Sequence, residues 1–104
     1  DWTESGQVDL IVTTGGTGLG SRDVTPEATA TVIERQVPGL SEAMRLETLK
    51  HTPLAILSRG IAGTRANCLI VNLPGSPKGV RECLDVVLLA LNHGVDILKG
   101  NPGH

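Results

Sequence analysis

Two stretches of this chain read the same way, and together they restrict the fold more than any other feature. Val8-Asp9-Leu10-Ile11-Val12-Thr13 and Cys68-Leu69-Ile70-Val71-Asn72-Leu73 are short apolar runs rich in β-branched residues, and each breaks off at turn residues. Runs that lack polar alternation suit strands covered on both faces, as in parallel sheets with helices above and below. Each run leads into a loop and then a cap-and-proline signal, Thr25-Pro26 after the first and Ser76-Pro77 after the second. The expected class is α/β, with a mainly parallel sheet.

The first helix is expected from Pro26 to about Gln36, and Glu27 sits in its first turn as a partner for the positive end of the dipole. Val37-Pro38-Gly39 interrupts, and a second helix runs from Leu40 to about Lys50 with Leu40, Ala43, Met44, Leu46 and Leu49 as its apolar stripe. Pro53 to Ser58 suits a helical turn or a strand, and Arg59 to Arg65 a short strand or loop. From Ser76-Pro77 a strong helix carries Val80, Cys83, Leu84, Val87, Leu88 and Leu91 at helical spacing. Val86, Leu89 and Ala90 widen its arc toward a sandwiched position or a subunit contact. Residues 1–99 are expected to form one domain and residues 100–104 a flexible tail or linker.

A chain of 104 residues buries only roughly 60 to 65% of its unfolded surface, so a partner subunit is worth expecting. Nine basic against eleven acidic residues leave a net charge of −2 with no basic stripe, which argues against nucleic acid. Without Phe or Tyr, and with Trp2 alone, bases have no stacking platform. No apolar run approaches a membrane span and no signal peptide opens the chain, so a cytoplasmic protein is expected. Cys68 and Cys83 read as buried free thiols.

In such a sheet both strand-to-helix loops, Gly15 to Asp23 and Pro74 to Ser76, emerge at the carboxyl edge. Two helix starts then face one crevice with unpaired N–H groups. Gly15, Gly16, Gly18 and Gly20 let a phosphate or planar ring approach the backbone, and Thr17 and Ser21 add hydroxyls. The P-loop pattern fails because Ser21 stands where lysine is required, and the dinucleotide pattern lacks its third glycine. Asp23, beside a helix start and a phosphate-type loop, suits either Mg²⁺ or the capping of nearby N–H groups. Arg22 suits phosphate or solvent.

Thr13-Thr14-Gly15-Gly16-Thr17-Gly18 followed by Arg22-Asp23-Val24-Thr25-Pro26-Glu27-Ala28-Thr29 resembles the signature of the molybdopterin adenylyltransferase family, whose domain also occurs in gephyrin and a plant two-domain protein. Pro38-Gly39-Leu40, Thr52-Pro53-Leu54, Leu57-Ser58-Arg59, Gly63-Thr64-Arg65 and Asn72-Leu73-Pro74-Gly75-Ser76-Pro77-Lys78 follow in that family's order. The resemblance implies a three-layer α/β/α domain, usually a homotrimer, that moves AMP from Mg-ATP onto the terminal phosphate of molybdopterin. Mg²⁺, ATP and molybdopterin are the ligands it implies. Carried over, Asp23 matches a catalytic, magnesium-associated aspartate. Gly15, Gly16, Thr17 and Gly18, then Ser58 and Arg59, then Asn72, Pro74, Gly75 and Ser76 match ligand-contacting motifs.

The same resemblance implies an upstream strand and helices, with a nucleotide loop and a further acidic residue, that this sequence does not contain. Two expectations follow from that departure. Either the sequence is part of a longer or shortened adenylyltransferase, or the domain holds pterin or serves as a gephyrin-like oligomerising scaffold without catalysis. The first strand is then at risk of an exposed edge. A metal-insertion domain, in the same or a partner chain, is a further implied partner.

Overall fold

A computed structural model describes residues 9–100, so Val8 and the tail from residue 101 lie outside the described residues. In chain order the elements are β1 (Leu10–Thr14), α1 (Thr25–Ala30), β2 (Arg35–Gln36), α2 (Pro38–Leu49), a 3-10 turn (Pro53–Leu57), β3 (Ala62–Arg65), β4 (Cys68–Leu73) and α3 (Pro77–Leu98). The sheet runs β1-β4-β3-β2.

The two apolar runs lie side by side and parallel, with Leu10 opposite Leu69 and Thr14 opposite Leu73. The other two pairings, β3 with β4 and β2 with β3, are antiparallel, so the sheet is mixed. A tight turn accounts for one of them. Arg65 pairs with Cys68 across Ala66-Asn67, and Ala66 takes the left-handed backbone (φ 53°) that such a hairpin requires.

Alternation along β4 sorts the layers. Leu69, Val71 and Leu73 pack on one face against Leu40 and Met44 of α2 and Cys83, Val87 and Leu91 of α3. Ile70 and Asn72 point to the other face, where the Asn72 side chain reaches Thr29 of α1. Helices therefore cover both faces, as the expected three-layer α/β/α arrangement requires. Burying a side chain such as Leu73, 1% exposed, contributes about 2 kcal/mol, which makes β4 the anchor of the fold. β1 lies at the sheet's margin, and its Leu10 and Val12 are 37% and 41% exposed.

Three sequence expectations change. The first helix ends at Ala30 and not near Gln36, because the β-branched run Thr29 to Ile33 curls away. The Thr31 hydroxyl donates to the Ala28 carbonyl at 2.6 Å, and the Val32 and Ile33 amides both turn back to the Thr29 carbonyl. Ile33 then seats over Gly63, where a Cβ would stand 2.5 Å from Ile33 Cγ2. On α2 the buried residues are Leu40, Ser41 and Met44, while Leu46 and Leu49 are exposed. On α3 the wider arc of Val86, Leu89 and Ala90 is exposed and is not sandwiched.

Candidate functional site

Adjacent parallel strands whose following helices pass to opposite faces open a crevice at their carboxyl ends. β1 and β4 are such a pair, since α1 lies on the Asn72 face and α3 on the Val71 face. The two loops meet at the crevice rim. The Gly15 amide donates to the Leu73 carbonyl at 3.0 Å, and a Cβ on Gly75 would lie 3.3 Å from the Gly15 Cα.

Beside this rim is a cavity of about 420 Å³. Thr17, Gly18 and Leu19 supply one wall, Ser58, Gly60 and Asn72 another, and Pro74 and Ser76 a third. The floor comes from α2 and α3 through Ser41, Met44, Arg45, Thr48 and Cys83. Six of the sequence-predicted ligand residues thus come together: Thr17, Gly18, Ser58, Asn72, Pro74 and Ser76. Gly15, Gly16, Asp23, Arg59 and Gly75 lie outside that lining.

The glycines of the first loop make room mainly for the protein's own side chains. A Cβ at Gly16, whose φ is +71°, would collide with Thr25 Oγ1, and one at Gly18 or at Gly20 would fall 2.9 Å from Asp23 Oδ2. The expectation of two helix starts facing one crevice is corrected here. Ser76 does line the cavity, and its hydroxyl accepts the Gly79 amide at 3.0 Å. Thr25 does not: its amide donates to the Gly16 carbonyl at 3.1 Å, and Val24, with no capping side chain, holds the cap position of α1. Of the two helix starts expected there, that of α3 lines the cavity and that of α1 does not.

Asp23 closes its own turn. Its Oδ2 accepts the Gly20 amide at 2.9 Å, and its amide returns to the Gly20 carbonyl at 3.0 Å. Asn72, 2% exposed, is equally committed. Its Nδ2 donates to Thr13 Oγ1 at 2.8 Å and Thr29 Oγ1 at 3.0 Å, and its Oδ1 accepts the Ile61 amide at 3.1 Å. One amide side chain therefore joins β1, α1 and the entry to β3 behind the cavity wall.

Arg59 donates from Nε to the Gly18 carbonyl at 2.7 Å and from Nη2 to the Asp23 carbonyl, and it pairs with the Glu27 carboxylate. The hydrogen bond from Arg59 holds the Glu27 carboxyl below the usual glutamate range. A depressed value means that the pair's contribution is present above the ordinary glutamate range and is lost as pH falls through Glu27's lowered value. In an NMR titration the Glu27 carboxyl carbon will change below the pH at which a free glutamate does, and Arg59→Ala will move it up toward the ordinary value. A titration at the ordinary value in the unaltered chain would show that the pair does not persist in solution.

Sequence reading missed the α2 and α3 floor. The usable signal was Ser41 and Thr48 at helical spacing beside Leu40 and Met44. Cys68 and Cys83 are free and buried, as read from the sequence, and burial pushes both thiols up. Among the described residues no group of three or more His, Cys, Asp or Glu could hold a metal by itself.

Residues 2–93 match the family model described as "Probable molybdopterin binding domain". The chain is 55% identical over 95 residues to a molybdopterin adenylyltransferase of Helicobacter pylori, covering 91% of this chain and 54% of that protein. It is 48% identical over 101 residues to gephyrin of Dictyostelium discoideum, covering 97% of this chain and 14% of that protein. The chain thus spans about half the length of the first of these relatives, and a smaller share of the second. Among solved structures, the molybdopterin biosynthesis enzyme MoaB from Thermus thermophilus superposes with a TM-score of 0.87 at 54% identity, over 99% of this chain and 65% of that one. With the fold, the loops and the sequence agreeing over nearly the whole described length, this chain belongs to the molybdopterin-binding domain family.

Proposed function

We propose that the chain works in molybdenum cofactor biosynthesis as the core of an adenylyltransferase that transfers AMP from Mg-ATP to molybdopterin. The observation that carries this reading is the cavity at the β1/β4 crevice, where six residues of the family-like motifs meet a helix start. A terminal phosphate oxygen of molybdopterin forms a bond to the α-phosphorus of ATP, the bond from that phosphorus to the bridging oxygen breaks, and pyrophosphate leaves. No covalent enzyme intermediate is needed; positioning and charge neutralisation supply the rate.

The donor set fits a magnesium that arrives with the nucleotide. Asp23 has one oxygen in its turn and no hydrogen-bond partner for the other among the described residues, and Mg²⁺ is commonly held by one or two carboxylates plus substrate phosphates. Asp23 is the acid we assign to it. Gly15, Gly16 and Gly75 shape the rim, Ser58 and Ser76 offer hydroxyls, and Met44, Leu54, Ala55 and Leu57 give the cavity apolar surface that suits a planar ring. A cytoplasmic homotrimer is part of this reading, and the exposed Leu46, Leu54 and Ile56 (66%, 68% and 70%) support association with further copies.

The experiment is to incubate the chain with molybdopterin and Mg-ATP and follow product by chromatography. Adenylylated molybdopterin and pyrophosphate will appear in equal amounts, and chelating Mg²⁺ will remove both. Molybdopterin binding with no pyrophosphate would replace this reading by the pterin-holding or scaffold role.

A further inference from the structure

Arg59 belongs to the sequence motif that points to ligand contact, yet its side chain is spent on the protein. Its backbone amide donates to the Thr17 carbonyl at 2.8 Å. Its guanidinium then spans the Gly18 carbonyl, the Asp23 carbonyl and both Glu27 carboxylate oxygens. Nε and both Nη atoms are engaged, and the charge is offset by Glu27, so little remains to attract a phosphate. The two carbonyls it holds flank the segment in which Gly20 and Asp23 close their turn.

We propose that Arg59 is a positioning residue that acts through Asp23: it fastens both ends of the Gly18 to Asp23 segment to α1 by way of Glu27 and so fixes where the Asp23 carboxylate stands. The catalytic part of this inference rests on the reading of Asp23 as the acid that meets Mg-ATP; the structural part does not. A planar fork is required, because these acceptors are served from three separate nitrogens, whereas an ammonium presents all its donors from one atom. Lysine in its place keeps the charge and loses the strap.

Amide hydrogen exchange on the full chain tests this with three variants, Arg59→Ala, Arg59→Lys and Glu27→Gln. The Gly20 and Asp23 amides will exchange about tenfold faster in both Arg59 variants and more modestly faster in Glu27→Gln, while the amides of β4 stay as protected as before. In the adenylylation assay the Arg59 variants will need more Mg²⁺ for half-maximal rate and lose kcat, with KM for molybdopterin nearly unchanged, a pattern that general destabilisation does not give. Arg59→Lys with unchanged exchange at Gly20 and Asp23 would overturn the proposal, as would accelerated exchange spread evenly into β4. If Arg59→Ala fails to fold, unchanged exchange in Glu27→Gln overturns it equally. Faster exchange in the Arg59 variants of a chain that transfers no AMP even unaltered supports the strap and removes the catalytic reading of Asp23 instead.

Discussion

Replacing Asp23 by alanine will lower the rate of AMP transfer by about 10²- to 10³-fold, the range seen when one preorganised charge-stabilising group is removed from an active site. Asp23→Asn tells the two roles of this residue apart. The asparagine amide keeps an oxygen that can accept the Gly20 amide, as Asp23 Oδ2 does at 2.9 Å, so the turn stays closed. What it loses is the negative charge. A large loss in both variants identifies the charge, and hence the metal-bound nucleotide, as what Asp23 serves. Transfer that survives in Asp23→Asn but falls in Asp23→Ala would reduce Asp23 to a loop cap and end its role in the chemistry.

Asn72→Ala will destabilise the fold by about 3 kcal/mol, because it leaves the partly buried Ile61 amide without its acceptor and strips the Thr13 and Thr29 hydroxyls of their donor. For a domain of this size that corresponds to a fall in Tm of about 15 °C. Urea unfolding followed by circular dichroism measures it, and the slope with urea should stay constant while the midpoint moves. A cost below about 1 kcal/mol would mean that the three groups find other partners and that the hub is dispensable. The loss is expected to reach the site too, since Asn72 lines the cavity and its side chain ties β1, α1 and the entry to β3 together there.

Strong periodic signals were legible in the sequence and weak or distant ones were not. β4 was read to the residue, and α3 at its start and along its buried stripe, because an unbroken apolar run and a long i, i+4 series have few other solutions. The early end of α1 was hidden: Pro26 and Glu27 announce a helix, whereas its stop depends on Thr29 to Ile33 preferring to pair Arg35 and Gln36 with β3. The antiparallel half of the sheet was hidden for a similar reason, since Ala66-Asn67 carries none of the glycine that usually marks so tight a hairpin.

In the site, residue types were legible and their employment was not. The glycine loop was found at once, but only coordinates show that Thr25 and Asp23 occupy the room its glycines leave. Arg59 and Glu27 are 32 positions apart, and no local pattern announces a partner at that distance. Ser41, Met44, Thr48 and Cys83 reach the cavity through the crossing of α2 and α3; spacing puts Ser41, Met44 and Thr48 on one face of α2, but that α3 brings Cys83 to the same cavity is a tertiary fact.

Gly15 and Gly75 press backbone against backbone, with no side chain between them to act as a cushion. A Cβ on Gly15 would find ordinary contact at 3.7 Å, whereas one on Gly75, at 3.3 Å from the Gly15 Cα, would have to push the neighbouring turn back by a few tenths of an ångström. A side chain at position 75 is therefore expected to part the two turns, and on the proposed function that would widen the spacing between the loops that meet the substrates.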